Sequence, residues 1–287
     1  MKRNSFLEKI TWIPAKFYNK YLQGKENLIK INLNPIGRKE SFYFLVNNER
    51  EISSLSAQLR CFGIREPNNI KHYLKFIEED DILLDVGSHF GFFSVLGKNA
   101  KRIIGIEPVK SCFKILEENL KINGLKEKTK IFNVALGNGE DIFIKEEGSS
   151  NLSQISKEKQ GVKIRSYKLD FFTEDYNVNC MKIDVEGYEY EIFMNQEIPK
   201  KMNKITMEFH RDLMGLEKSK ELIKRFYKQG FKVKYLVEEL PLRFYPFMKW
   251  KWLFNKLTYS LKDLELEDTL KEIKKRRGLK YLYLIRK

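Results

Sequence analysis

Two kinds of segment are missing from this sequence of 287 residues. No run of apolar residues reaches the roughly 20 that a helix needs to cross a bilayer. The first residues are basic, but further charged residues and a proline interrupt the apolar stretch that a signal peptide requires. We therefore expect a cytoplasmic protein without an integral membrane segment.

Cysteine is scarce as well. Cys61, Cys112 and Cys180 are odd in number and far apart, and none has a partner at the spacing typical of a metal site. A disulfide framework is therefore not expected. A reduced, cytosolic chain is the interpretation that fits this cysteine usage.

Acidic residues are outnumbered by basic ones, at 39 against 54, so the formal net charge is +15. Such a charge suggests an anionic partner: nucleic acid, a lipid surface or a phosphorylated substrate. Most lysines, however, are interspersed with glutamates, and a merely solvated surface explains them equally well.

Two stretches lack this balance. Residues 1–25 have apolar side chains at helical spacing and a single acid, Glu8, which predicts a basic amphipathic helix. Residues 240–262 contain seven aromatic and five basic residues and no acid. This composition is typical of a surface that contacts an anionic membrane, and it would also suit stacking on sugars or bases. We expect loose attachment to a membrane, with simple packing on the domain as the alternative.

The central stretch of the chain reads Ile-Leu-Leu-Asp-Val-Gly-Ser-His-Phe-Gly-Phe over residues 82–92. A short apolar run bounded by glycine predicts a buried parallel strand. Gly87 and Gly91 suit a tight turn into a helix where the backbone approaches a ligand. A second strand ends at Glu107, 22 residues beyond Asp85. A carboxylate there could accept both hydroxyls of a ribose. The loop is not the Gly-x-Gly-x-x-Gly of dinucleotide binders, because His89 stands at the second glycine.

Residues 85–94 resemble the cofactor loop of S-adenosylmethionine-dependent methyltransferases. The closest resemblance is to the FkbM family, whose loop usually reads Asp-Val-Gly-Ala-Asn-x-Gly. Four further motifs follow in the order of that family, at residues 106–108, 133–137, 182–189 and 207–210. The sequence differs from the family pattern at Ser88 and His89.

The resemblance implies an α/β fold with a doubly wound, seven-stranded Rossmann-like sheet in the order 3-2-1-4-5-7-6, its last strand antiparallel. It implies S-adenosylmethionine as cofactor. We expect residues 1–65 to form an N-terminal extension with a helix and a hairpin, and residues 66–287 to form the methyltransferase domain, with an aromatic-basic insertion at 240–278. The residues that the resemblance assigns to cofactor binding are Asp85, Gly87, Ser88, His89, Gly91, Glu107, Pro108 and Asn133.

Three titratable residues, Asp184, Glu186 and His210, are expected at the ends of strands four and five, where open α/β sheets bind ligands. If the acceptor is a hydroxyl, a base must remove its proton. His210 is the candidate base because of its ordinary pKa, and a structural histidine held by a carboxylate such as Glu208 is the alternative. These side chains could also bind a metal ion, but we expect no metal requirement.

The expected function is O-methylation of a hydroxyl on a sugar, glycolipid or related small molecule, as the resemblance implies. The alternative is an RNA methyltransferase, suggested by the net charge and by residues 240–262. Against it, base N-methyltransferases often carry an Asn/Asp-Pro-Pro-Tyr-like motif after strand four, whereas this chain has Asp-Val-Glu-Gly at 184–187. A non-catalytic, membrane-bound module is a third possibility, which the intact loop and Glu107 argue against.

Overall fold

The apolar runs of the sequence form the strands of a mixed sheet. The computed structural model describes residues 27–47, 55–145, 154–155, 161–239, 259–275 and 280–286. The strands are β1 (Leu28–Asn32), β2 (Ser41–Leu45), β3 (Ile82–Val86), β4 (Arg102–Ile106), β5 (Thr129–Phe132), β6 (Ala135–Leu136), β7 (Ile142–Lys145), β8 (Gln154–Ile155), β9 (Val162–Ile164), β10 (Ser166–Tyr167), β11 (Cys180–Ile183), β12 (Lys204–Glu208), β13 (Phe231–Glu238), β14 (Tyr259–Leu264) and β15 (Lys280–Arg286).

Helices alternate with these strands along the chain. They are α1 (Leu55–Phe62), α2 (Pro67–Phe76), α3 (Phe92–Leu96), α4 (Lys110–Ile122), α5 (Leu169–Asp175), α6 (Glu189–Met194), α7 (Arg211–Met214), α8 (Leu216–Lys228) and α9 (Leu266–Lys275). Among the described residues, none of these helices combines the length and the apolar character needed to cross a membrane.

The main sheet has eight strands in the order β14-β13-β15-β12-β11-β3-β4-β5. Strands β5, β4, β3, β11 and β12 are parallel, and β15 runs antiparallel to both β12 and β13. If the seven strands from β5 to β13 in this sheet are renumbered in chain order, without the edge strand β14, their order across the sheet is 3-2-1-4-5-7-6. The fold is therefore a doubly wound Rossmann-like α/β sheet, as the sequence predicted.

An eighth strand extends this sheet beyond the predicted seven. β14 pairs antiparallel with β13 at the edge, and α9 follows it. Both belong to the stretch at 240–278 that the sequence analysis treated as an insertion. The basic amphipathic helix predicted at 1–25 and most of the aromatic-basic stretch, residues 240–258, lie outside the described residues.

Alternate residues of each central strand point to opposite faces, and each face is covered by helices. Leu83 and Ile103 join the apolar cluster that contains α2, α3, α4 and the β1–β2 hairpin. Leu84 and Ile104 join a second cluster on the other face, with α5, α6 and α8. Burial on both faces explains the apolar runs at 82–84 in β3 and 103–106 in β4.

The predicted hairpin is present as β1 and β2, and a buried asparagine attaches it to the sheet layer. The side-chain amide of Asn119, on α4, donates to the carbonyl oxygens of Leu45 (2.9 Å) and Phe90 (2.8 Å). Its oxygen accepts a hydrogen bond from the Leu45 N–H (2.6 Å). One side chain therefore connects the hairpin, α4 and the turn before α3.

Replacing Asn119 with alanine should destabilise the protein, because three backbone groups, all buried or partly buried, lose their hydrogen-bond partner. Each buried group left unsatisfied costs about 1–3 kcal/mol. Asn123→Ala is the matched control. Asn123 directly follows α4, and its replacement removes an exposed bond to the Tyr43 carbonyl, which should cost about 0.5 kcal/mol. Urea unfolding of both variants measures the difference, and equal losses would contradict the role of Asn119.

Candidate active site

The loop between β3 and α3 turns sharply against the end of β11. Gly87 and Gly91 have positive φ angles of 70° and 84°, a conformation that glycine adopts readily. A Cβ atom on Gly87 would lie 1.9 Å from the carbonyl oxygen of Asp184. The close approach at Gly87 is therefore to the protein's own backbone, whereas the sequence suggested an approach to a ligand.

The buried ammonium group of Lys182, on β11, joins this loop to the neighbouring strand. Its Nζ donates to the Gly87 carbonyl (3.1 Å) and lies 3.4 Å from Asp85 Oδ1 and 3.7 Å from Asp184 Oδ2. Burial alone would lower the pKa of Lys182, but the charges of the two aspartates outweigh it and raise that pKa. Asp85 has no exposed surface, and its other oxygen accepts a hydrogen bond from Ser94 (2.5 Å).

Glu107 lies at the end of β4 beside the same loop. Its two carboxylate oxygens accept hydrogen bonds from the backbone N–H groups of His89 (2.7 Å) and Val109 (2.8 Å). Burial raises the pKa of Glu107 to about 7, although these bonds oppose the rise. Each oxygen keeps a second acceptor position, so the carboxylate can still take two donors from a ribose diol. Glu107 therefore fits the nucleoside part of the cofactor.

The other residues assigned to the cofactor surround Glu107. Asn133 is exposed, and its amide donates to the backbone oxygens of Glu107 (2.8 Å) and Pro108 (2.9 Å). Ser88 is buried and donates to the Asp85 carbonyl (2.7 Å). The His89 ring stacks on Phe90 at 3.9 Å. Burial, followed by the charge of Arg65, lowers the pKa of His89 to about 3, so its imidazole is neutral. Direct contact of each of these residues with the cofactor stays a prediction.

The three candidate catalytic residues do converge, and Glu208 joins them. His210 Nε2 lies 3.3 Å from Glu208 Oε1, 3.4 Å from Glu186 Oε2 and 3.8 Å from Asp184 Oδ1. The opposite ring nitrogen, Nδ1, is 2.6 Å from Oε1 of the fully buried Glu189. Glu186 is the most exposed of the group, with 41% of its side chain accessible.

Crowding of carboxylates around one imidazole shifts the pKa values of His210, Glu208, Glu186 and Asp184. Burial would lower the pKa of His210, but hydrogen bonds to Glu189 and Glu208 outweigh it and raise the pKa to about 12. Burial, followed by the charge of Asp184, raises the pKa of Glu208 to about 8 and that of Glu186 to about 7. For Asp184, burial is outweighed by Lys182 and His210, which lower its pKa. The ordinary pKa for which His210 was considered a base does not hold here.

The same cluster provides a set of ligand atoms for a cation. One donor atom each from Asp184, Glu208 and His210 lies within 4.8 Å of the other two. Carboxylate oxygens and a histidine nitrogen are common ligands of divalent metals.

Sequence reasoning missed two contributors to this cluster. Glu189 was part of a recognised motif, but the residue that it contacts, His210, lies 21 positions further along the chain. Arg65 pairs with Glu66, and its charge contributes to the lowered pKa of Asp184 and opposes the rise in the pKa of Glu186. Arg65 precedes the motifs, so no local pattern connected it with the site.

A family model described as the methyltransferase FkbM domain matches residues 85–233, just over half of the chain. The chain belongs to the FkbM methyltransferase family. The matched range contains Glu107, His210 and the four carboxylates around His210. A comparison of this FkbM methyltransferase with curated protein sequences found no match.

Several solved structures are similar to this methyltransferase. One is the methyltransferase FkbM from Methylobacillus flagellatus KT, with 15% identity over 51% of this chain and 38% of that chain and a TM-score of 0.35. A tRNA m1G37 methyltransferase from M. jannaschii has 13% identity over 91% and 57%, with a TM-score of 0.45. A putative tRNA (m1A22) methyltransferase from Streptococcus pneumoniae, in complex with S-adenosyl-L-methionine, has 16% identity over 76% and 72%, with a TM-score of 0.41. TM-scores below 0.5 say nothing about the substrate of this chain.

The protonation of the three histidines in the chain can be read by NMR of the ring nitrogens. In metal-free protein at pH 7.5, His210 should be an imidazolium because its pKa is raised to about 12, whereas His89 should be neutral because its pKa is lowered to about 3. Glu189→Gln should lower the pKa of His210 by removing a charged acceptor. His210→Gln assigns the signal. A His210 resonance that titrates between pH 6 and 8 in the unmodified protein would contradict the expectation.

Proposed function

We propose that this methyltransferase uses S-adenosylmethionine to methylate a hydroxyl group of a small acceptor, such as a sugar or glycolipid. The observation that carries the proposal is the position of two dissimilar sites on either side of one loop. Glu107, a buried carboxylate suited to a ribose, contacts the loop from β4. The acidic cluster around His210 contacts it from β11.

Short contacts connect these two sides. The His89 N–H bonds to Glu107, while Gly87, two residues earlier, lies against the backbone of Asp184. Lys182 then holds Asp184 and the loop together. A cofactor whose ribose binds Glu107 is thereby kept close to the crevice at the ends of β11 and β12, where an acceptor can enter.

S-adenosylmethionine, when bound, supplies an electrophilic methyl group. The chain must then hold the acceptor oxygen about 3–3.5 Å from that methyl carbon and in line with it, which itself accounts for much of the catalysis. The fixed loop and the rigid strand ends support such alignment. A proton must also leave the hydroxyl as its oxygen forms the new bond.

Glu186 is the residue that we propose takes this proton. Both ring nitrogens of His210 are engaged with carboxylates, at 2.6 Å on one side and 3.3 Å on the other, so the imidazole has no free acceptor position. Glu186 is within reach of the same place and is the most exposed carboxylate of the cluster. In this proposal His210 positions the carboxylates around the acceptor.

The residues that follow β11 favour a hydroxyl acceptor over the bases of RNA. Residues 184–187 read Asp-Val-Glu-Gly, whereas base N-methyltransferases often carry an Asn/Asp-Pro-Pro-Tyr-like motif at this point. Lipid-linked acceptors remain compatible with the proposal, since the aromatic-basic stretch at 240–262 has the composition of a membrane-contacting surface.

Glu107→Ala should weaken S-adenosylmethionine binding, because the ribose hydroxyls lose a charged acceptor. A charge-assisted hydrogen bond contributes about 1.5–3 kcal/mol, which corresponds to roughly a 10- to 150-fold higher Kd. Calorimetric titration measures the change. Glu117→Gln, on the exposed face of α4, is the control and should bind normally. Equal affinities for the wild type and Glu107→Ala would remove Glu107 from the cofactor site.

Glu186→Gln should lower kcat by roughly 10²- to 10⁴-fold if Glu186 is the base. Cofactor affinity should stay unchanged, since Glu186 lies on the acceptor side of the loop. Glu191→Gln, which removes a surface ion pair with Lys218 (2.7 Å), is the matched control and should retain activity. An unchanged kcat for Glu186→Gln would show that another group removes the proton from the acceptor hydroxyl.

The acceptor class can be tested with cofactor carrying a labelled methyl group and separate pools of glycans, lipids and RNA. Label in an alkali-stable methyl ether of a glycan or lipid would support the proposal. Label confined to RNA would instead support the nucleic-acid alternative.

A further inference from the structure

We propose that Asp184, Glu208 and His210 together bind one divalent metal cation of the Mn²⁺ type. The proposal departs from the metal-free site expected from the sequence. The role that we give to the metal, which is to hold the acceptor hydroxyl, rests on the proposed function. Binding of the metal itself can be tested without an acceptor.

The donor atoms are held by adjacent parallel strands. Asp184 directly follows β11, Glu208 is the last residue of β12, and His210 lies two residues further on, so that Glu208 and His210 can face the same side. One donor atom from each lies within 4.8 Å of the others. A cation placed between them needs only small side-chain movements to reach the usual ligand distances of about 2.0–2.2 Å.

The contact on the far side of His210 points independently to a metal. Metal-ligating histidines almost always donate their second ring N–H to a carboxylate or carbonyl, which fixes the tautomer. Here Nδ1 lies 2.6 Å from Oε1 of Glu189, which is fully buried on α6. That bond directs Nε2 towards Asp184 and Glu208. Glu189 itself lies outside the set of ligands.

An unsatisfied oxygen also faces the proposed position. Among the residues that the structure describes, the buried Asp184 Oδ1 has no hydrogen-bond partner, although it lies 3.8 Å from His210 Nε2. The other oxygen of Asp184 faces Lys182 at 3.7 Å. Buried polar atoms almost always have a partner, and a cation between Asp184 and His210 would provide one for Oδ1.

Three protein ligands leave further coordination positions open for water or substrate. Asp184 is 21% exposed, so one side of the cluster is accessible. Mixed carboxylate and imidazole donors suit Mn²⁺ and its neighbours better than Ca²⁺, which takes oxygen ligands.

An acceptor hydroxyl held at this site loses its proton to Glu186 while its oxygen bonds to the methyl carbon. The carbon–sulfur bond breaks, and its electron pair stays on sulfur.

The test is a titration of the EDTA-treated, full-length protein with Mn²⁺, in which electron paramagnetic resonance measures the free ion. We expect one Mn²⁺ to bind per chain and to raise the Tm. Glu208→Gln and His210→Gln should each abolish both effects. Glu189→Gln should raise the Kd by about 10- to 100-fold, the usual effect of removing the carboxylate behind a ligating histidine. Glu191→Gln, on the same helix, should bind as the wild type does.

Thermal unfolding without metal shows whether each variant folds. Absence of Mn²⁺ binding to the wild type at 1 mM, or unchanged binding by folded Glu208→Gln and His210→Gln, would overturn the proposal. Cofactor titration of the same EDTA-treated samples keeps the two proposals apart. S-adenosylmethionine binding and methyl transfer without any bound metal would leave the proposed function intact and refute only the role of the metal in holding the acceptor, whereas the Mn²⁺ titration decides whether the site exists.

Discussion

The buried ammonium group of Lys182 is the contact on which the site depends. It reaches the Gly87 carbonyl, Asp85 and Asp184 at 3.1, 3.4 and 3.7 Å, so it bonds to a loop and a strand end at once. Without the ammonium group of Lys182, the negative charges of Asp85 and Asp184 would lose their compensating cation. Leaving a buried charge unpaired in this way costs several kcal/mol of stability. The loop after β3 and the cluster around His210 therefore keep a fixed separation, because the charge of Lys182 holds both.

The loop after β3 and Glu107, where we propose that the cofactor binds, could be predicted from the sequence as local structure because their signals are local. The strand, the turn and the acid of β3 and β4 are short runs of neighbouring residues, and burial on both faces explains the apolar runs at 82–84 and 103–106. Gly87 was predicted correctly as a turn residue. The need for glycine at this position comes from a distant part of the chain, since a Cβ atom on Gly87 would clash with the carbonyl oxygen of Asp184.

The cluster around His210 was less predictable, because its properties arise between distant residues. The protonation of His210 is set by Glu189 and Glu208, which approach it only after β11, β12 and α6 have packed. β14 was also missed. Its half-buried residues Tyr259, Leu261 and Leu264 are separated by polar ones, a pattern that resembles a surface segment until β13 provides a partner. The periodicity of a short sequence segment cannot predict contacts between residues that are far apart in the chain.

The position of β15 has a consequence for how the chain matures during translation. β15 is the last described strand, yet it lies between β12 and β13 in the interior of the sheet. The nascent polypeptide must therefore wait, with the facing edges of β12 and β13 unpaired, until residues 280–286 have emerged from the ribosome. Exposed strand edges invite association with other chains, and N-terminal parts fold first during synthesis. Chaperones should consequently be needed for this protein until residues 280–286 have left the ribosome and β15 has paired with β12 and β13.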